Sequence, residues 1–177
     1  MKVFNNFDLR NFWSGGNYER DNYVGALLRP DLVASVEREL GYQLPQSYVE
    51  LMSVQNGGTP NNTCHPTAEE TSWANDHVAI TGISAIDRRP IYSLCGELGS
   101  KFMMEEWGYP PIGVYFADCP SAGHDMLCLD YRNVRDGGEP TVVHVDQDSD
   151  FQITFVARNF EAFVRGLRHK DTFSFED

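Results

Sequence analysis

The sequence has few basic residues. Its 177 residues include 14 Lys and Arg against 26 Asp and Glu, which gives a formal net charge of −12 at pH 7. Nucleic-acid binding requires clustered Lys and Arg that displace counterions from phosphates, and anionic membranes attract the same side chains. The composition therefore excludes nucleic acids and membrane surfaces as partners, and it favours solubility and attraction to cationic partners.

Long apolar runs are also absent. No stretch approaches the roughly 18 apolar residues that span a bilayer, and the first residues lack the apolar segment of a secretory signal. The sequence contains four cysteines, and cysteines without an export signal are kept reduced in the cytosol. We therefore expect a cytoplasmic protein without a membrane span and with free thiols at Cys64, Cys95, Cys119 and Cys128.

Motifs of enzymes and metal sites are missing as well. The Cys and His residues show neither the CxxC nor the HxxxH spacing that is typical of structural zinc. Neither a GxSxG nucleophile motif nor a glycine-rich phosphate-binding loop is present. The sequence therefore predicts no catalytic residue, no metal and no cofactor.

The sequence does contain enough apolar material for one hydrophobic core. Apolar residues make up 41% of it and aromatic residues 12%. A domain typically has about 150 residues, and a chain of this length buries roughly 70% of its unfolded surface. We therefore expect residues 1–177 to form a single domain.

Hydrophobic periodicity predicts that the first part of the domain is helical. An aromatic arm, residues 1–30, precedes a helical hairpin over 31–58. Pro30 and Gly41 delimit the first helix of this hairpin, as is usual for these residue types. The glycines of Asn56-Gly57-Gly58 supply the left-handed backbone that ends the second helix, and a loop follows over 59–76.

The second part alternates in the manner of β-strands. The region 78–156 contains short alternating segments separated by turn residues, with one helix predicted over 100–107. A C-terminal helix is predicted within 157–168. This order favours an α+β fold with a largely antiparallel sheet. The candidate strands are residues 78–83, 113–117, 126–131, 141–146 and 151–155.

Negative charge is concentrated between Asp118 and Asp150. This segment holds eight acidic and two basic residues, a net charge of −6. One interpretation is an ordinary solvated face; the other is a docking surface for a cationic partner, whose approach such a field accelerates. The candidate contact residues are Asp118, Glu139, Asp146, Asp148 and Asp150.

A metal-dependent hydrolase is the alternative from another functional class. Asp130, His144 and Asp146 lie on neighbouring predicted strands, and carboxylates with a histidine could hold a metal or act as a general base. The strand register decides whether these side chains meet. If they do not, they belong to the solvated polar face that antiparallel sheets commonly keep.

Motifs along most of the chain resemble those of the SUKH superfamily, the relatives of the yeast Smi/Knr cell-wall-assembly regulators. The hairpin carries Leu-Gly, Leu-Pro and Asn-Gly-Gly, and later blocks contain Glu-Trp-Gly-Tyr-Pro and Asn-Phe-Glu-Ala-Phe. The positions that match the family pattern and are expected to be structural are Glu37, Leu40, Gly41, Leu44, Pro45, Tyr48, Asn56, Gly57, Gly58, Trp107, Phe160 and Phe163.

This resemblance implies a sheet of about six strands flanked by helices, and a role without catalysis. Bacterial members of the superfamily are inferred to be immunity proteins that neutralise a cognate protein toxin by direct binding. Such toxins are frequently nucleases with basic clefts, which an acidic protein is suited to oppose. A general scaffold with several partners is the remaining alternative, and the sequence leaves open whether the protein is a monomer or a dimer.

Overall fold

The computed structural model describes residues 2–173. None of the described helices is long and apolar enough to cross a membrane. The α-helices are α1 (Asn17–Asn22), α2 (Pro30–Leu40), α3 (Gln46–Val54), α4 (Ser100–Trp107) and α5 (Phe160–Gly166). The strands are β1 (Cys64–Pro66), β2 (His77–Ala79), β3 (Gly82–Ile83), β4 (Gly113–Asp118), β5 (Asp125–Asp130), β6 (Thr141–Asp146) and β7 (Gln152–Ala157).

The strands form two antiparallel sheets. The larger sheet has five strands in the order β3-β4-β5-β6-β7, and β1 pairs with β2 separately. Each strand of the larger sheet is therefore bonded to its neighbour in sequence. The predicted α+β fold with a largely antiparallel sheet is confirmed, with five strands in the main sheet rather than about six.

Two local predictions differ from the structure. The segment predicted as one strand over 78–83 is divided between β2 and β3, which belong to different sheets. The predicted loop over 59–76 contains β1, whose Cys64 also pairs with the backbone of Arg168 near the C-terminus. Apolar alternation identifies a strand, but its partner is set by contacts that are distant in sequence.

Both faces of the larger sheet are buried. The face that carries Leu127 and Leu129 packs against α3 and α5, whereas the face that carries Met126 and Cys128 packs against α4 and Tyr109. As a result, all six residues of β5 are buried. The sheet therefore lies in the middle of the domain, and its exposed parts are its edges, its ends and the connecting turns.

The helical hairpin is held together by its own polar groups. Pro30 occupies the first turn of α2, and Gly41 ends that helix in the left-handed conformation with φ 79°. The Oε1 atom of Glu37 then accepts a hydrogen bond of 2.8 Å from the backbone N–H of Leu44. Leu44 is buried, and Pro45 caps the start of α3. The short connection therefore fixes the angle between the two helices.

Tyr48 joins the hairpin to the sheet. Its ring is fully buried and packs at 4.6 Å between centroids against Phe160 of α5. Its hydroxyl donates a hydrogen bond of 2.6 Å to the carbonyl of Ser84, just after β3. The aromatic ring supplies apolar area, and the hydroxyl needs a partner when it is buried. Tyr48 meets both requirements.

Asn56 ties three segments of the chain to one another. Its Nδ2 donates to the carbonyls of Ala26 at 2.9 Å and Ile86 at 3.1 Å, and its Oδ1 accepts from the N–H of Ile86 at 2.8 Å. Its own carbonyl accepts from the N–H of Gly25 at 2.7 Å. The aromatic arm, the hairpin and the segment after β3 therefore share one buried side chain.

The two glycines after Asn56 allow the backbone to approach closely. A Cβ atom at Gly57, whose φ is 91°, would lie 2.4 Å from the carbonyl oxygen of Tyr23. Gly58 exchanges two backbone hydrogen bonds with Ile83 of β3. Because α3 already ends at Val54, these glycines do not cap the helix as predicted; they dock the chain onto the sheet.

We predict that Asn56→Ala destabilises the fold by about 2–4 kcal/mol, because three hydrogen bonds are lost and three backbone groups, the carbonyl of Ala26 and the carbonyl and N–H of Ile86, lose their partner. Urea unfolding followed by circular dichroism would measure this change. Asn62→Ala, at an exposed position, is the matched control and should leave the midpoint unchanged. Equal midpoints for both variants would show that Asn56 does not organise the fold.

Candidate functional site

One end of the sheet gathers acidic side chains. Asp118 is the last residue of β4, Asp125 the first of β5 and Asp146 the last of β6, and Asp125 lies directly opposite Asp146. The turn from β6 to β7 adds Asp148 and Asp150. We call these five residues the acidic end. Antiparallel pairing explains the grouping, because the end of one strand meets the beginning of the next.

The members of the acidic end differ in exposure. Asp146 is buried, and its carboxylate accepts hydrogen bonds from the N–H of Asp148 at 3.0 Å and the hydroxyl of Ser149 at 2.9 Å. It therefore stabilises the turn. Asp148 and Asp150 are exposed, and the carboxylate of Asp148 lies 2.9 Å from Nδ1 of His124. The exposed negative charge of the turn is thus carried by Asp148 and Asp150.

Glu139 lies apart from this group. It precedes the first residue of β6, whereas Asp146 is the last, so the length of the strand separates them. At roughly 3.3 Å per residue, that separation is about 20 Å. Glu139 is exposed and accepts a hydrogen bond of 2.8 Å from Nδ2 of Asn159. Of the five predicted contact residues, four therefore share one end of the sheet, and Glu139 lies near the other end.

The register also separates the hydrolase candidates. His144 lies opposite Leu127, so it is on the α3 and α5 face, whereas Asp130 alternates onto the other face. Asp130 forms an ion pair of 2.7 Å with Arg132, whose hydrogen bonds outweigh the effect of burial and hold the pKa of Asp130 below its ordinary value. The predicted site of Asp130, His144 and Asp146 is therefore not assembled.

The alternative of a solvated polar face is also wrong. Asp130, His144 and Asp146 are all buried. Their low exposure means that none of them presents a charge on an open β-surface. The sequence pattern could not show this, because polar residues at alternate positions are equally typical of a solvated face and of satisfied polar groups in a two-sided core.

His144 pairs with Asp125, which the predicted set of Asp130, His144 and Asp146 did not include. Its Nε2 donates a hydrogen bond of 2.6 Å to Oδ2 of Asp125, and both side chains are almost fully buried. Burial alone would raise the pKa of Asp125, but hydrogen bonds from His144 and Ser121 lower it below the ordinary value. The hydrogen bond between these two side chains links β5 to β6 inside the protein. Because this pairing depends on the strand register, which is set by long-range contacts, the sequence alone contains no signal that identifies it.

One group of donor atoms could share a metal ion. Among residues 2–173, donor atoms of Cys119, Asp125 and His144 lie within 4.8 Å of one another. Burial raises the pKa of the Cys119 thiol well above its ordinary value, so the thiol is neutral. Asp125 and His144 bond to each other through Oδ2 and Nε2, whereas Oδ1 of Asp125 and Nδ1 of His144 are buried without a hydrogen-bond partner among residues 2–173.

Two cavities flank the acidic end. On the face of His144, a polar cavity of about 420 Å³ lies between Asp146, Thr154 and the segment Glu70–Ser72. On the opposite face, a cavity of about 440 Å³ is lined mainly by aromatic and other apolar side chains and by Asp118. We call the second cavity the Asp118 pocket. It is the larger apolar surface beside the acidic residues.

Asp118 is held by the aromatic arm. The hydroxyl of Tyr23 lies 2.9 Å from both carboxylate oxygens, and the Tyr23 ring stacks on Tyr92 with 4.4 Å between centroids. Burial raises the pKa of Asp118 to about 7, although the hydrogen bond from Tyr23 opposes that effect. Within residues 2–173, no Lys, Arg or His forms an ion pair with this carboxylate.

We predict that Asp118→Asn stabilises the fold at pH 8 and has little effect near pH 4. Because the pKa of Asp118 is raised in the folded state, the folded chain binds this proton more tightly between about pH 4 and 7, and stability falls as the pH rises through that range. The amide removes the charge and keeps an acceptor for Tyr23. Thermal unfolding at both pH values measures the difference.

The exposed variant Asp136→Asn controls for the change in net charge. It should shift the unfolding temperature little at either pH. A lower unfolding temperature for Asp118→Asn than for the unmodified protein at pH 8 would contradict the prediction.

Comparison with models of protein families gives a match. The model of the SMI1 / KNR4 family (SUKH-1) matches residues 28–166, more than three quarters of the chain. The matched region begins just before α2 and ends with α5, so it contains the hairpin, both sheets and the acidic end. No curated protein matched the chain. The chain belongs to the SMI1 / KNR4 family (SUKH-1).

Proposed function

We propose that this chain is an immunity protein that binds a cognate protein toxin inside the cell and blocks it without catalysis. The family to which it belongs includes immunity proteins. The strand register supports a binding role over the hydrolase alternative, because it places Asp130 on the opposite face of the sheet from His144 and Asp146. The acidic end is the proposed contact surface.

The observation that carries this proposal is the exposed charge at one end of a sheet whose faces are covered. Asp148 and Asp150 project from the turn after β6, and Asp118 lies two strands away, about 10 Å by ordinary strand spacing. The exposed residue Glu70 borders the adjacent polar cavity and adds a further carboxylate. A surface of this kind attracts a partner with a basic cleft and increases the rate of encounter.

The proposal is tested first by identifying the partner. Tagged protein is used to capture bound proteins from the cytosol of its own cell at low and then moderate salt. The expected result is one stoichiometric basic protein that stops growth when expressed alone and is tolerated when this chain is expressed with it. A captured protein whose effect on growth is unchanged by this chain would contradict the proposal.

We predict that Asp148→Asn combined with Asp150→Asn slows association with that partner several-fold and weakens its salt dependence, while dissociation changes little. Charges at the rim of an interface act mainly on the encounter step, and salt screens them. Asn is chosen because residue 150 has a φ of 61°, which Asn tolerates. Stopped-flow or surface-based kinetics at two salt concentrations measures both rates.

The matched control removes two charges at the other end of β6, with Asp136→Asn and Glu139→Gln. This pair of substitutions changes the net charge equally and should slow association less. If the control slows association as much as the Asp148 and Asp150 substitutions do, net charge alone is responsible. If the control has the larger effect, the interface lies at the Glu139 end.

A further inference from the structure

The Asp118 pocket combines a carboxylate with an aromatic lining. Asp118 lies among the side chains of Tyr18, Tyr92, Phe102 and Trp107, in a cavity of about 440 Å³. This volume is within the range of about 300–1,000 Å³ that is usual for ligand sites. The pocket therefore has room for a side chain or a small molecule and offers it both aromatic surface and one acidic group.

The rim of the pocket is accessible. The side chain of Tyr18, on α1, is 59% exposed, although it is large and aromatic. On the opposite side, the ring of Trp107 lies over Gly123, where an added Cβ would come within 3.3 Å of the indole. Ala122, the neighbour of Gly123, is exposed. An incoming group could therefore reach the aromatic side chains without unfolding a strand.

Asp118 lacks a cationic partner within the part of the chain that the structure describes. Its carboxylate is hydrogen-bonded to the hydroxyl of Tyr23 and to backbone groups of Asp118 and Gly82, whereas an ionised carboxylate can accept about four hydrogen bonds. A partly buried charge without a counterion is unfavourable. A cation that entered the pocket would provide the missing charge and use a remaining acceptor position.

We propose that the Asp118 pocket receives an arginine side chain of the protein partner. The guanidinium would stack on the aromatic side chains at the rim and donate hydrogen bonds to the carboxylate of Asp118. This inference rests on the proposed function, since it supplies the specific contact within the acidic end that the proposed function leaves general.

Three chemical reasons favour arginine over lysine. The guanidinium is planar and stacks on aromatic rings, whereas the ammonium of lysine is compact and strongly hydrated. It donates two parallel hydrogen bonds to a carboxylate. It also loses less hydration free energy when it enters a partly buried site next to rings such as Tyr92 and Trp107.

The pocket can be tested without the partner. The probe is N-acetyl-L-arginine N-methylamide, titrated into the full-length protein while NMR signals of the Trp107 indole and the tyrosine rings are followed. Its citrulline counterpart has nearly the same shape without the charge. We expect saturable shifts at the pocket with the arginine probe, at a Kd of about 1–10 mM, and none with the citrulline probe.

Two variants locate the binding site. Asp118→Asn should weaken arginine binding about tenfold, because the ion pair is lost while the acceptor for Tyr23 remains. Tyr18→Ala should weaken binding several-fold. Because Tyr18 is exposed, the substitution should leave the fold intact, so that weaker binding reports the loss of the tyrosine contact. Asp136→Asn, at an exposed position outside the acidic end, should leave the shifts at Trp107 unchanged. Equal binding of citrulline, shifts only around Asp148, or the absence of saturable shifts would overturn the proposal.

A second experiment distinguishes the failure of this inference from the failure of the proposed function. With the captured partner, Asp118→Asn should reduce affinity at least about tenfold, a typical effect for a central contact. If the partner is neutralised and Asp118→Asn binds it as tightly as the unmodified protein, the pocket proposal is wrong and the immunity function stands. If the arginine probe binds but no partner is neutralised, the immunity function is wrong and the cation site remains.

Discussion

The fold depends on one buried amide. Asn56 is bonded to the backbone on both sides, at Ala26 in the arm and at Ile86 after β3. Neither segment belongs to a regular element at these points, so their backbone groups have no strand or helix partner to satisfy them. An amide is suited to this position because it both donates and accepts, whereas a carboxylate would only accept. The attachment of the arm places Tyr23 next to Asp118 and thereby determines one wall of the pocket.

The two-sided burial of the sheet limits where function can reside. Helices α3 and α5 cover one face, and α4 with Tyr109 covers the other. The ends and the turns of the sheet, rather than a flat β-surface, are therefore the parts of it that remain exposed. At the acidic end, these turns carry exposed carboxylates, and the buried Asp146 holds the turn between β6 and β7 in shape. The residues that shape this surface are thus distinct from those that present charge to solvent.

Sequence analysis predicted the positions of the helices and strands better than the pairing of the strands. The helices around Pro30 and Pro45 and the strand alternation after 112 follow from local propensity, so the α+β fold could be predicted. Strand register is a long-range property, and it decided that His144 meets Asp125 rather than Asp130. The burial of both sheet faces was not predictable either. The polar residues along β5 and β6 give a pattern that is also typical of a sheet with one solvated face.

The carboxylates inside this domain show which one is available to a partner. Asp87 accepts hydrogen bonds from three backbone N–H groups, Asp125 is bonded to His144, and Asp130 is paired with Arg132; in each case the internal hydrogen bonds lower the pKa despite burial. At Asp118 the balance is reversed, because burial raises the pKa to about 7 although hydrogen bonds from Tyr23 and from the backbone of Asp118 and Gly82 oppose that effect. The free energy of unfolding of a domain is only about 5–15 kcal/mol. A carboxylate that lacks a counterion therefore reduces a quantity that is already small. A protein that needed Asp118 only for folding would be more stable with an amide there. The carboxylate becomes favourable when a cation from outside the chain enters the pocket, and this dependence connects the chemistry of Asp118 to binding.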